Sequence, residues 1–154
     1  MSFQGVSFKY PSYWKSETEK LEEGHYFIKC YERFNTGTML LVSYYEGEQP
    51  PAVILKNFLD TYNEDIKDAS TKSSNVITKS TGPARYGNHD CMVIQYEVSV
   101  IMAKSYGNAY AFNADGKSFL IVEQSERHYD LKHDKFKLMR DSFTLGTPAD
   151  STEK

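Results

Sequence analysis

Asn113-Ala114-Asp115-Gly116-Lys117-Ser118-Phe119-Leu120-Ile121-Val122-Glu123-Gln124-Ser125 is the stretch that decides the fold. Asp115-Gly116 is a two-residue hairpin signal, because both residues tolerate the positive φ angles that such a turn requires. In the strand that follows, Phe119 and Ile121 face one way while Leu120 and Val122 face the other. A strand apolar on both faces belongs in the middle of a sheet that is covered above and below. Downstream, residues 130–140 fit a helix with Phe136, Met139 and Phe143 on one side and Leu131 and Leu138 beside it. Asp130 or Asp134 is placed to cap its start, and Arg140 suits its C-terminal end.

Working outward, a second doubly apolar run occupies residues 38–46. Met39 and Leu41 point to one face, and Leu40, Val42 and Tyr44 to the other. A β-rich run at 26–34 precedes it, joined through Asn35-Thr36-Gly37, a suitable hairpin connection. Val6, Phe8 and Tyr10 alternate with polar residues as a first strand, which Pro11 stops, and Tyr13-Trp14 fold back as an aromatic plug. Residues 15–24 are polar and charged and read as a loop with a helical turn. Pro51 opens the clearest amphipathic helix, with Ile54, Leu55, Phe58, Leu59, Tyr62 and Ile66 recurring at spacings of three and four. A polar loop at 70–74 follows, then a strand at 75–81, turns at Gly82-Pro83 and at 86–89, and a strand at 91–100. A turn within 104–108 then returns a separate strand at 109–112.

The order is βββ-α-ββββ-α. Short connections make consecutive strands antiparallel, and two buried central strands need cover on both sides. The expected fold is therefore α+β, a three-layer α/β/α sandwich around a mainly antiparallel sheet. Residues 1–146 form one domain, and 147–154 a disordered polar tail.

Several motifs are shared with a known family. Tyr10-Pro11-Ser12-Tyr13-Trp14 gives an aromatic-Pro-x-x-Trp step after an early strand. A long helix follows three strands, Tyr110-Ala111-Phe112 leads into a glycine turn, and the chain closes on a Phe-x-x-Met-x-x-Ser-Phe pattern from Phe136 to Phe143. In this order of elements over residues 3–145 the chain resembles the PsbP-like superfamily. That family includes the photosystem extrinsic protein, import factors that bind the small GTPase Ran, and many small bacterial proteins. The resemblance implies the sandwich fold and a non-catalytic binding or assembly role.

Composition narrows the function classes. The 154 residues are 40% hydrophobic and 25% charged, with a net charge of −3, which argues against a nucleic-acid binder. No apolar run approaches the roughly 18 residues of a membrane span. No signal peptide is visible, so the chain as written is expected to be cytoplasmic, or exported if an N-terminal segment has been trimmed. Cys30 and Cys91 sit in apolar strand contexts as buried thiols, with a disulfide between them left open.

No reactive motif stands out. His128, Asp130, His133 and Asp134 are the one local set of potential metal ligands, but His128 and His133 are five apart and share no helix face. Lys132, Lys135, Lys137 and Arg140 spread around the second helix as a solvated surface. No phosphate loop or nucleophile elbow occurs, and no metal or cofactor is expected. The leading expectation is a module that contacts another protein through a sheet edge, a loop or exposed aromatics, with Tyr13, Trp14, Tyr44 and Tyr45 as contact residues. The alternatives are a carrier of an apolar small molecule held between sheet and helix layers, and an enzyme with a site assembled from His89, His128 and Glu123.

Overall fold

The computed structural model describes residues 1–69 and 74–146. Residues 70–73 of the expected polar loop and the expected tail at 147–154 lie outside them. Seven strands make one antiparallel sheet: β3 (Trp14–Glu22), β4 (His25–Glu32), β5 (Asn35–Glu46), β6 (Asn75–Tyr86), β7 (His89–Val100), β8 (Ala103–Ala114) and β9 (Lys117–Ser125). Their spatial order is β3-β4-β5-β9-β8-β7-β6. A small sheet joins β1 (Ser2–Phe3), β2 (Val6–Ser7) and β10 (Thr144–Leu145). Helix α1 (Pro51–Ala69) lies on one side of the large sheet; a 3-10 turn (His128–Lys132) and helix α2 (Asp134–Ser142) close the other. None of the described helices is long and apolar enough to cross a membrane.

Strand β9 is the fourth of seven, and its alternation sorts two cores. Phe119 and Ile121 pack with Leu40, Val42, Tyr44, Tyr110, Phe112, Phe136, Met139 and Phe143 beneath α2. Val122 and half-buried Leu120 pack on the opposite face with Ile54, Leu55, Ile94, Tyr96 and Val98. Asp115 (φ 52°) and Gly116 (φ 72°) both take the left-handed conformation between β8 and β9, as the Asp-Gly signal requires. The N-terminal segment completes the α2 side. Val6 and Phe8 are buried there, and Trp14 stands edge-on to Phe136 at 5.8 Å.

Six local expectations are corrected. Residues 15–22 are the edge strand β3, paired along its length with β4. It buries only Trp14, so no apolar alternation marks it, and its charged side chains are what protects an exposed edge. Of the strand expected at 6–10, only Val6–Ser7 is paired. The β4–β5 turn falls at Arg33-Phe34, and Asn35-Thr36-Gly37 belong to β5 beside an irregularity in register. Gly82-Pro83 do not break β6, which is the other edge, so the proline has no inward ladder bond to lose. The turn placed at 104–108 lies instead at Ile101-Met102, and Lys104–Asn108 continue β8. The expected helix at 130–140 is divided at His133, and Asp130 caps no helix but accepts a hydrogen bond from Ser125 (2.8 Å).

Gly107 is in β8 because of its neighbour. A Cβ there would lie 2.1 Å from a ring carbon of Tyr96, whose side chain covers this position on the α1 face. Ala109 and Ala111 continue the small-residue track along β8, and α1 packs over β6, β7, β8 and β9. The β3–β4–β5 half of the same face receives no comparable helix cover. Gly107→Ala is expected to lower unfolding free energy by about 1–3 kcal/mol through overpacking, measured as a shift of the urea midpoint at constant m-value.

Candidate binding cleft

Where the cover of α1 stops, a cleft of about 520 Å³ opens between helix and sheet. Its floor comes from alternate residues of β5 (Met39, Leu41, Ser43, Tyr45) and of β9 (Leu120, Val122, Gln124). The opposing wall is the flank of α1, with Ile54, Phe58 and Tyr62 toward the floor and Asn57, Thr61 and Asp65 at the mouth. From Met39, opposite Gln124, to Tyr45, opposite Ser118, the six residue-to-residue steps of β5 give a length of about 20 Å.

The two ends differ in their polar groups. At one, His25 Nε2 and Ser43 Oγ are 2.9 Å apart, and the Tyr45 hydroxyl donates to Gln49 Oε1 at 3.1 Å. At the other, the hydroxyls of Tyr62 and Tyr96 both donate to Gln124 Oε1, at 2.8 and 3.0 Å. Burial raises the pKa of both tyrosines, most strongly at Tyr96, so both hydroxyls keep their protons. Among the described residues no lysine or arginine lines the cleft.

The contact residues expected from sequence are divided between surface and interior. Tyr45 lines the cleft and Tyr13 is half exposed at the start of β3. Trp14 is 4% exposed and Tyr44 only 1%, so both serve the α2-side core. His89, His128 and Glu123 do not converge. His89 stacks on Phe112 and His128 packs against Tyr106, six residues apart on β8 and so about 20 Å from each other. Among the described residues no three His, Cys, Asp or Glu side chains are grouped to hold a metal ion. His133 lies over the Tyr129 ring. Cys30 and Cys91 are free, buried thiols that burial pushes up to about 12 and about 11. Met39, Leu41, Leu120 and Val122 read in sequence as core, and only the lateral position of α1 turns them into a lining.

Comparison with known protein families gives no match, and comparison with curated proteins gives none. Solved structures are similar. The solution structure of cyanobacterial PsbP (CyanoP) from Synechocystis sp. PCC 6803 superposes with a TM-score of 0.66 at 17% identity, over 93% of this chain and 88% of that one. The fold is PsbP-like. A crystal structure from Bacteroides thetaiotaomicron VPI-5482 gives a TM-score of 0.57 at 11% identity, over 93% of this chain and 46% of that one. LpqN of Mycobacterium tuberculosis, described as involved in cell envelope biogenesis, gives 0.47 at 11% identity. The architecture implied by the Tyr10-to-Trp14 and Phe136-to-Phe143 patterns is thus the one found.

On the other side of this PsbP-like sheet lies a buried polar cluster around Glu123, a residue the sequence offered only as one member of a site with His89 and His128. Glu123 is fully buried, with Arg140 of α2 3.5 Å from Oε2 and the Tyr110 hydroxyl donating to the same oxygen at 3.3 Å. Arg140 also donates to the Tyr110 hydroxyl and to the Leu131 carbonyl, both at 3.1 Å. Glu123 Oε1 and the neighbouring Tyr86 hydroxyl complete no hydrogen bond. Burial is the dominant influence on Glu123 and lifts its pKa to about 7, against the opposing pull of Arg140.

The folded state therefore holds a proton that the unfolded chain releases near pH 4.5. The stability this group confers is complete below that pH and is lost as pH rises toward about 7. Urea titrations across this window are expected to show a loss on the order of a few kcal/mol, and Glu123→Gln is expected to flatten it.

Proposed function

We propose that the chain is a non-catalytic binding module and that the cleft beside α1 is its binding site, taking an apolar ligand between the sheet and helix layers. The carrying observation is the cleft itself. Interiors normally close-pack their own side chains, yet here a space of about 520 Å³ stays open over an apolar floor. That volume lies within the range of small-molecule sites, which run from about 300 to 1,000 Å³. The separation of the titratable groups along the lining favours binding over chemistry. Asp65 lies toward the Tyr62 end and His25 at the Tyr45 end, with no acid–base pair between them among the described residues.

A second reading, contact with another protein, draws on the strand ends. The β4–β5 turn, the β7–β8 turn and the 3-10 turn after β9 lie at one end of the sheet by register. They carry Phe34 (93% exposed), Met102 (98%), Ile101 and Tyr129. Ile101 has φ 53°, a conformation that β-branched residues rarely adopt. Tyr13 stands at the same end, beside Glu32 and Arg33.

Native mass spectrometry of gently purified protein is expected to show added mass from an apolar ligand. Leu41→Trp, which fills the floor, is expected to weaken retention at least roughly ten-fold, a change of about 1.4 kcal/mol, with the melting temperature little changed. Undiminished retention by the filled variant would remove the cleft as the site. For the second reading, Phe34→Ser with Met102→Ser is expected to abolish a cross-linked complex that the wild-type chain forms, and persistence of the complex would count against it.

A further inference from the structure

We propose that the cleft selects a neutral ligand with an apolar body and one hydrogen-bond-accepting oxygen, a ketone, ester or amide carbonyl, seated against the side-chain N–H group of Gln124. The inference rests on the cleft being the binding site and adds what that site reads.

Gln124 ends the floor of the cleft and is 6% exposed. Its amide oxygen accepts two hydrogen bonds, one from Tyr62 on α1 and one from Tyr96 on β7. An amide oxygen has two lone pairs, so its acceptor capacity is filled and the orientation of the group is fixed. Its nitrogen carries two N–H donors, and among the described residues neither has a partner. Both tyrosines are poorly able to swing away. Tyr96 lies over Gly107, the residue opposite Gln124 on β8, where even a Cβ would collide with it. Tyr62 is stacked on Phe58, with ring centroids 5.5 Å apart, and stands edge-on to Tyr96. A donor held from behind by two hydroxyls and left open in front recognises an acceptor.

Charge sets the rest of the preference. Among the described residues the lining holds no lysine or arginine to balance a carboxylate or phosphate, and Asp65 stands one turn beyond Thr61 at the mouth. An anionic head would meet this acid with no compensating partner. The apolar floor from Val122 to Leu120, flanked by Leu41 and Phe58, accommodates the body of the ligand away from Gln124.

The test is a competition of three ten-carbon probes, 2-decanone, decane and decanoate, against Nile red fluorescence in the intact protein, with the side-chain amide signals of Gln124 followed by ¹⁵N NMR. 2-Decanone is expected to bind at least ten-fold more tightly than either of the others and to shift the Gln124 NH₂ resonances. Gln124→Glu keeps an acceptor for both tyrosines while removing the donors, and is expected to erase the preference for 2-decanone over decane. Gln124→Met, checked by thermal melting, is expected to do the same. Equal binding of 2-decanone and decane to the wild type would overturn the inference while leaving the cleft as an apolar site. Binding of none of the probes would overturn both, and preference for decanoate would overturn the neutral-ligand assignment.

Discussion

The structure hangs on one strand that has no solvent face. Phe119 and Ile121 of β9 are buried beneath α2, while Val122 is buried and Leu120 half buried on the α1 side. Each buried side chain of this size contributes about 1.5–3 kcal/mol when removed from water, so neither face is free to go uncovered. The chain meets this with unlike covers. A long helix serves one face, and a short helix, a 3-10 turn and the N-terminal strands serve the other. The second cover must be assembled from both chain ends, and the pairing of β10 with β2 is where they meet.

How α1 is seated follows from side-chain size. Gly107, Ala109 and Ala111 make β8 the lowest part of the α1 face, and the helix packs over that strand and its neighbours. Bulkier Met39, Leu41 and Tyr45 of β5 remain to one side, half buried. The cleft is the space between these levels. Its polar end is fixed by the same arrangement, because the Tyr96 ring that occupies the space over Gly107 carries the hydroxyl that orients Gln124. Across the sheet, the Glu123–Arg140 contact ties α2 to β9 through a buried carboxylate. Residues 123 and 124 are adjacent in sequence and serve opposite layers.

Elements whose burial leaves a period were legible from sequence. The doubly apolar runs of β5 and β9, the heptad-like spacing of α1 and the Asp-Gly turn all fall where alternation and turn chemistry put them. The edges were legible only in part: β3, which exposes nearly all its side chains, was missed, and β6 was read at 75–81 but not beyond its proline, since neither needs the signals of a central strand. Gly107 misled because a glycine that yields space to a ring and a glycine that makes a turn are the same letter. The cleft was illegible for a similar reason: Leu41 and Val122 are core residues by pattern, and only the lateral placement of a distant helix exposes them. Alternation put Tyr44 and Tyr45 on opposite faces, but which face was closed by the N-terminal segment is a tertiary fact. Phe3 sits near that face, where its carbonyl accepts the Tyr44 hydroxyl.

The bare track on β8 has an implication for how such a domain diversifies. Swapping Ala109 or Ala111 for a larger residue would lift the helix and change the gauge of the neighbouring recess from behind its floor, at positions no guest molecule touches. Under the proposed binding role, selectivity in this scaffold is adjustable by remote shimming, so that two chains with the same lining residues would differ in what they accommodate.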